Sequence, residues 1–452
     1  MNSENSKYSI LPNGGFPKEI GEKLDLKAIA FWSASGFFAE NDSFWKEVKW
    51  ASLDYDQQPW KHEPRQITFN QAVDEFATIF HSTIARDIKD KQVILPLSGG
   101  LDSRSLAVAL KHLGVNPYTY SYQFQGSFHE TKYGEQIAKQ LGWTFDAYNI
   151  PVGYLWDKIE GAARQNLCYT EFSHTRQVAV VDEVSQKGNL WLLGHWGDVL
   201  FNDMGVADDL PYAQQLSVIK KKILKPGGTE LASDLWQAWG LSGSFEDQLN
   251  QRLDQMHSRI DIDNANARIR AFKSLYWATR WTTTNLTYFN SSHPMSLPYY
   301  DDEMCKFIMS LPEEYLADRR IQIEYIKRYG GSLANIEWQE KKPYNLYNFH
   351  KFRSSAHLPY RLIQKAKRTF KEVTSGKKLI QRNWENQFMQ GDNPAKLESW
   401  LFDNADFHKL VPKRLVEKYY ERFLKEGHVQ WSHPLSMLLT LSIFCKQNKF
   451  KL

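Results

Sequence analysis

Between Val93 and Leu110 the chain reads VILPLSGGLDSRSLAVAL. An apolar run stops at Ser98-Gly99-Gly100, and Asp102 and Ser103 follow at once. These residue types in this order suit an anion. Glycines let the backbone come close, and the first free N–H groups and dipole of a following helix favour negative charge. The Asp102 carboxylate beside them suits a divalent cation. The spacing excludes two common phosphate turns. No Lys follows the second Gly, as G-x-x-x-x-G-K-[ST] requires, and there is no G-x-G-x-x-G. A compact S-G-G-x-D-S turn fits pyrophosphate.

Such a turn needs a strand before it and a helix after it. QVILPL predicts a buried strand, and RSLAVALKHLG a helix closed by Gly114. Upstream, Val73, Phe76, Phe80, Ile84 and Ile88 recur every three to four residues and predict one apolar helix face. Downstream, YTYSYQF, FDAYNI and GNLWLLG predict strands, and ETKYGEQIAKQLGW a helix ending at Gly142. Strands alternating with helices predict an α/β fold with a doubly wound parallel sheet, which binds ligands at the carboxyl ends of its strands. Beyond about Asp203 the chain reads mainly helical, through HPLSMLLTLSIFCK. Residues 1–65 are rich in Trp and Phe, and the alternation after Phe44 predicts a few short strands. The division expected is a short N-terminal β segment, 1–65, and a main domain, 66–452.

A chain of 452 residues exceeds one ordinary core, and its 42% hydrophobic and 14% aromatic content is ample for packing. No apolar run is long enough to cross a bilayer, and MNSENSKYSI lacks the basic and apolar regions of a signal peptide, so a cytoplasmic protein is expected. Cys168, Cys305 and Cys445 are far apart and odd in number, which argues against a disulfide framework or a paired thiolate metal site. A net charge of +4 gives no case for nucleic acid. From Lys351 to Arg382, however, the only acidic residue is Glu372. Arg361, Lys365, Lys367, Arg368 and Lys371 read either as a solvated helix face or as a docking surface for an anionic partner, such as a phosphorylated carrier or a membrane surface.

The S-G-G-x-D-S turn resembles the pyrophosphate loop of the ATP pyrophosphatases, which break ATP between its α and β phosphates. The rest of the chain resembles the asparagine synthetase family. TYSYQF followed by ETKYGEQIAKQLG fits its second strand and helix at Glu130, Tyr133, Ala138, Leu141 and Gly142. LLGHWGDVLF, Leu192 to Phe201, is similar to its second active-site loop, and LPYYDDEMCKFIMSLPEEY to its Pro-Phe-Leu-Asp segment with the trailing helix. WQEKKPY, Trp338 to Tyr344, is similar to the loop carrying its catalytic Lys. These motifs stand in the family's order and cover most of residues 66–350.

The resemblance implies an adenine nucleotide alpha-hydrolase-like fold, ATP and Mg2+. It also implies a two-step reaction, in which a carboxylate is adenylated with loss of pyrophosphate and an amine then displaces AMP. Ser98, Gly99, Gly100, Leu101 and Ser103 would cradle pyrophosphate, while Asp102 and Asp198 would hold Mg2+. Lys341, favoured over Lys342 by register, would stabilise the developing phosphate charge. Leu97, Tyr122, Leu193 and Gly194 would meet adenine.

Departures from the family pattern shape the expectation further. Full synthetases have an N-terminal glutaminase whose nucleophile is the Cys exposed after Met removal. Position 2 here is Asn2, and no Cys precedes Cys168, so residues 1–65 read as a vestige without glutamine hydrolysis. His195 replaces a Glu, Val199 replaces another, and Pro294-Met295-Ser296 replaces Glu-x-Arg. Aspartate is therefore put in doubt as substrate. Relatives that form β-lactam rings or cyclise peptides share the missing glutaminase and differ at the His195 position. A near-neutral His195 would be a general base for the amine, or simply packed. Arg104 would reach a phosphate or the substrate carboxylate. The expected activity is an ATP-dependent amide-forming ligase acting on a small or carrier-linked carboxylate with ammonia or an amine. The alternatives are a nucleotide- or tRNA-modifying ATP pyrophosphatase and a degenerate nucleotide-binding scaffold.

Overall fold

The computed structural model describes residues 20–50, 59–127, 131–172, 175–360 and 382–452. Its centre is a five-stranded sheet: β1 Val93–Pro96, β2 Tyr118–Phe124, β3 Phe145–Ile150, β4 Leu190–Leu192 and β5 Met295–Ser296. The order is β3-β2-β1-β4-β5 and every pairing is parallel, with Ile94 opposite Tyr118, Thr119 opposite Phe145, Val93 opposite Leu190 and Trp191 opposite Met295. Val93, Ile94 and Leu95 are buried in succession, as in a strand covered on both faces. The chain winds to one side of β1 through β2 and β3, then returns to its other side through β4. The carboxyl end of β1 is thus the switch point where ligands bind in such sheets.

Helices fix that point. α2, Phe69–Asp87, starts at a capping box in which Thr68 and Gln71 satisfy each other's backbone N–H groups. α3, Leu101–His112, begins directly after Gly100. α4, Lys132–Leu141, ends at Gly142 with φ 70°. The helix Arg320–Tyr329 packs on both α2 and α3.

One apolar cluster surrounds the sheet, and a second joins α1, Leu26–Ser35, to the helices Tyr154–Asn166 and His428–Gln447. Trp32 is fully buried and its indole N–H donates to the Tyr169 carbonyl at 2.9 Å, while the Phe44 ring stacks on Phe444 at 4.0 Å. The short strands expected after Phe44 do not form in the described part of this segment, where only single bridges occur, Leu24 to Trp45 and Lys23 to Lys451. Ser43 explains part of this. Its hydroxyl binds the Trp45 N–H and the carbonyls of Trp45 and Val48, taking up groups that a strand ladder would pair. Among the described residues, no helix is long and apolar enough to cross a membrane.

Candidate active site

The turn after β1 closes on itself. The Ser98 N–H donates to Ser103 Oγ at 3.0 Å, the two hydroxyls lie 3.0 Å apart, and the Gly100 N–H donates to Ser98 Oγ at 3.3 Å. Gly99 is held from outside as well. Its N–H donates to Gln339 Oε1 at 3.2 Å, and its carbonyl accepts the Gln339 N–H at 3.2 Å. A Cβ on Gly99 would lie 2.7 Å from Gln339 Cβ and 2.8 Å from the Tyr133 ring, so this approach requires glycine. Gln339 belongs to the loop of Trp338 to Tyr344, which is folded by Trp338 N–H to Tyr344 carbonyl and Lys341 N–H to Trp338 carbonyl, both 2.8 Å. The loop bearing Lys341 is therefore joined to the phosphate turn by a reciprocal pair of hydrogen bonds.

Arg104 does not have the role expected of it. It is fully buried, and its guanidinium donates to the carbonyls of Ile336 at 3.0 Å, Glu337 at 2.9 Å, Gly99 at 3.2 Å and Leu333 at 3.4 Å. The fork is consumed by backbone oxygens, which leaves no free donor pair for a phosphate or substrate carboxylate. It ties the chain leading to Gln339 to the turn from within. Leu101 is also buried in the core, so only its backbone faces the turn.

Asp102 stands in the first turn of α3, where Arg319 and Gln322 both donate to Oδ1, the latter at 2.9 Å. Burial pushes the Asp102 carboxyl up to about 6; the Arg319 charge pulls it down, and Asp198 pushes it up again. Asp198 is exposed in the four-residue helix Gly197–Leu200. The preceding glycine presses on Asp102 so closely that a Cβ on Gly197 would collide with Oδ1. Trp196, Asp318 and Arg319 flank the pair with φ of 73°, 52° and 63°. Left-handed backbone is uncommon at non-glycine residues and gathers at functional sites.

The donor chemistry fits Mg2+. The Asp198 charge is close enough to raise the proton affinity of Asp102, and both carboxylates offer hard oxygens. Among the described residues, no group of three or more His, Cys, Asp or Glu would hold a metal unaided. That suits an ion completed by phosphate oxygens and water.

Two clefts flank the turn. One, about 320 Å³, is lined by Leu97, Ser98, Tyr122, Arg176, Gln177 and Gln339 among others, with the Gln177 side-chain amide donating to the Tyr122 hydroxyl at 2.8 Å. Leu193 and Gly194 do not line it. Leu193 is buried with its N–H on the Ser296 carbonyl at 3.0 Å, and a Cβ on Gly194 would lie 3.0 Å from Asp102 Cβ. The other cleft, about 470 Å³, contains Lys341 with Arg319, Asn202, Asp203, His350 and Arg353. The Lys341 ammonium lies 5.0 Å from the Phe352 ring centre and 5.5 Å from that of Trp338. Arg319 lines this cleft and also binds Asp102, so Lys341 and the carboxylate pair share a wall.

His195 is placed beside Asp198, but not with the near-neutral proton affinity expected. Burial pulls it down to about 4, against an upward pull from Asp198. It is neutral at physiological pH, and its buried Nδ1 has no hydrogen-bond partner among the described residues. Val199 is buried. All three cysteines are buried and free, and burial pushes each thiol up, so none is a ready thiolate. Glu130 and the basic residues Arg361, Lys365, Lys367, Arg368 and Lys371 lie outside the described residues.

Arg319, Gln322, Gln177 and Gln339 were not expected at the site. Gln339 sits inside WQEKKPY, where its place beside the Lys was a signal. Arg319 and Gln322 lie in an ordinary-looking helix start, ADRRIQIEY, with no local mark of their target.

A parallel α/β sheet with this turn at its switch point defines a nucleotide-binding protein of the adenine nucleotide alpha-hydrolase-like fold. The asparagine synthase family matches residues 75–444, and the chain belongs to that family. It is thus an ATP-using enzyme of a ligase and pyrophosphatase family. A solved structure, the NMN synthetase from Francisella tularensis, is similar at 13% identity, with 46% of this chain and 93% of that chain covered and a TM-score of 0.24. No curated protein sequence matches.

Proposed function

We propose that this is a cytoplasmic, ATP-dependent ligase that forms an amide bond through an acyl-adenylate and does not hydrolyse glutamine itself. A substrate carboxylate oxygen attacks the α-phosphorus, the bond from that phosphorus to the bridging oxygen breaks, and pyrophosphate leaves. An amine nitrogen then attacks the acyl carbon, AMP leaves with the electron pair of the C–O bond, and the nitrogen loses its proton to solvent. The observation that carries this reading is the reciprocal hydrogen bonding of Gly99 and Gln339, which brings the loop of Lys341 to the pyrophosphate turn.

Ser98, Gly99, Gly100 and Ser103 supply donors for the departing pyrophosphate, and α3 adds the positive end of its dipole. Tyr122, Leu97 and Gln177 receive the nucleoside. Asp102 and Asp198 would hold Mg2+, which would supply charge neutralisation to the phosphates. Lys341, in a cleft with no carboxylate pairing it among the described residues, stabilises charge that grows in both steps. His195, neutral at working pH, accepts a hydrogen bond from the incoming amine rather than acting as a strong base. The amine is ammonia or an amine of another molecule, since no buried thiol offers a glutaminase nucleophile.

The test is AMP and pyrophosphate release from ATP with pools of carboxylates, with and without amines. Nucleotide cleavage that requires a carboxylate, with AMP chasing through only when an amine is added, is the expected result. Cleavage that requires tRNA and no carboxylate, or no cleavage with any acid, overturns it.

A further inference from the structure

Next to Asp198 lies a set of charges that the adenylation chemistry does not use. Lys273 opens a ten-residue π-helix, Lys273–Thr282, a form that frequently marks functional positions. Its ammonium lies 4.7 Å from the Trp277 ring centre and 5.8 Å from that of Trp196. Lys225 approaches the same Trp277 ring at 5.6 Å and Trp281 at 5.6 Å, while its own backbone N–H is fixed to the Ala34 carbonyl at 3.1 Å. Lys222, in the last turn of the helix Tyr212–Ile223, stands near enough to act on Lys273. Trp196 is held against the π-helix by its indole N–H, which donates to Thr282 Oγ1 at 2.7 Å.

Lys225 and Lys273 thus crowd the same indole, with the half-buried Lys222 close to Lys273. Asp198, Asp203 and Glu171 act on them through space, yet among the described residues none of the three lysines has an ion pair with a carboxylate. Burial lowers the proton affinity of all three, and the charges of Lys222 and Lys225 add to this at Lys273, which comes down to about 8. Ring faces offset only part of this, since a cation–π contact contributes about 0.5–2 kcal/mol. The Trp277 indole N–H is moreover a buried donor with no acceptor among the described residues. A buried donor without an acceptor and clustered cations without an ion-pair partner are both relieved by one thing, a bound anion.

We propose that Lys222, Lys225, Lys273 and the Trp277 N–H form a subsite beside Asp198 for an anionic group, carboxylate or phosphate, on the acid that the enzyme activates. The anion site follows from the lysines themselves; only its assignment to the activated acid rests on the ligase reading. The substrate would then be a dicarboxylate or a phosphorylated acid, with one group at the nucleotide and the other in this recess. Trp walls further favour a flat or apolar body between the two.

The test reads lysine acetylation by peptide mass spectrometry on the full-length wild-type protein, under mildly alkaline conditions. The probes are succinate, inorganic phosphate, sodium chloride at matched ionic strength, and Mg-ATP. Succinate or phosphate should slow acetylation of Lys225 and Lys273 saturably, by about fivefold at four times its dissociation constant. The better of the two assigns the group. Lys225→Met should abolish the saturable protection of Lys273. Equal protection by chloride, protection by Mg-ATP alone, or no protection at all would overturn the proposal. Mg-ATP protection of Lys341 is read in the same digest. Its loss would count against the ligase reading while leaving the anion subsite standing on its own result.

Discussion

The two sides of Asp198 handle buried charge in opposite ways. On the nucleotide side each buried cation has its partner inside the protein: Arg104 is spent on four carbonyls, and Arg319 on Asp102 and Gln322. On the π-helix side Lys225 and Lys273 lie over indoles, Lys222 stands near Lys273, and carboxylates act on all three only through space among the described residues. The first arrangement makes a rigid cradle that exists before any ligand arrives. The second leaves its counter-charge to be brought in. Self-satisfied networks suit the part of a reaction that never changes, whereas unsatisfied ones suit the part that selects a substrate.

The sharpest break of this contrast is at Lys341, a half-buried cation that no carboxylate pairs among the described residues. Lys341→Ala should lower the rate of pyrophosphate release by about 10²–10³ while ATP binding, measured by equilibrium dialysis, changes far less. An equal loss of binding and rate would make Lys341 a mere nucleotide anchor.

Arg104 tests the opposite property. Arg104→Met strips partners from buried carbonyls and should lower unfolding free energy by about 2–4 kcal/mol in denaturant melts, and Arg104→Lys should not restore it because a point charge cannot replace the fork. A melt unchanged by Arg104→Met would mean that the clamp is dispensable.

Acid should expose a third difference. His81, His195 and His257 are each pulled down by burial to about 4 from 6.5. Between those values the unfolded chain binds protons that the folded chain refuses, so stability should rise with pH across the window and level off above it. His195→Asn should remove up to about 3 kcal/mol of that rise, seen in melts at several pH values. The smallest effect belongs to Tyr122→Phe, which deletes only the acceptor for Gln177 and should weaken ATP binding by about 1 kcal/mol, some fivefold, in a direct titration.

The strand, glycine turn and helix around Ser98 were readable in the sequence because they are local. Strand, glycine turn and helix are consecutive, and Gly114 and Gly142 mark helix ends that the structure keeps. The order of the motifs also placed Lys341 and Asp198 near the turn. What escaped was non-local or conformational. Arg104 sits one residue beyond a phosphate motif, and nothing nearby says that its partners are carbonyls at Leu333, Ile336 and Glu337. Pro294-Met295-Ser296 looked like a lost motif, yet two of its residues are the edge strand β5. Lys225 carries no local mark of its site, because the indoles it lies over come from a distant π-helix.

The stacking of Phe44 on Phe444, with α1 set against the last helix, also bears on how the chain is made. At a ribosomal pace of about 5–20 residues per second, His428–Gln447 emerges roughly 400 residues and some 20–80 s after α1. Through that interval Phe44 and Trp45 lack the Phe444 ring that covers them, although Trp32 already has Phe38, Phe44 and Tyr169. The N-terminal aromatic cluster is therefore capped late, and chaperone demand on it should fall once His428–Gln447 has emerged and docked.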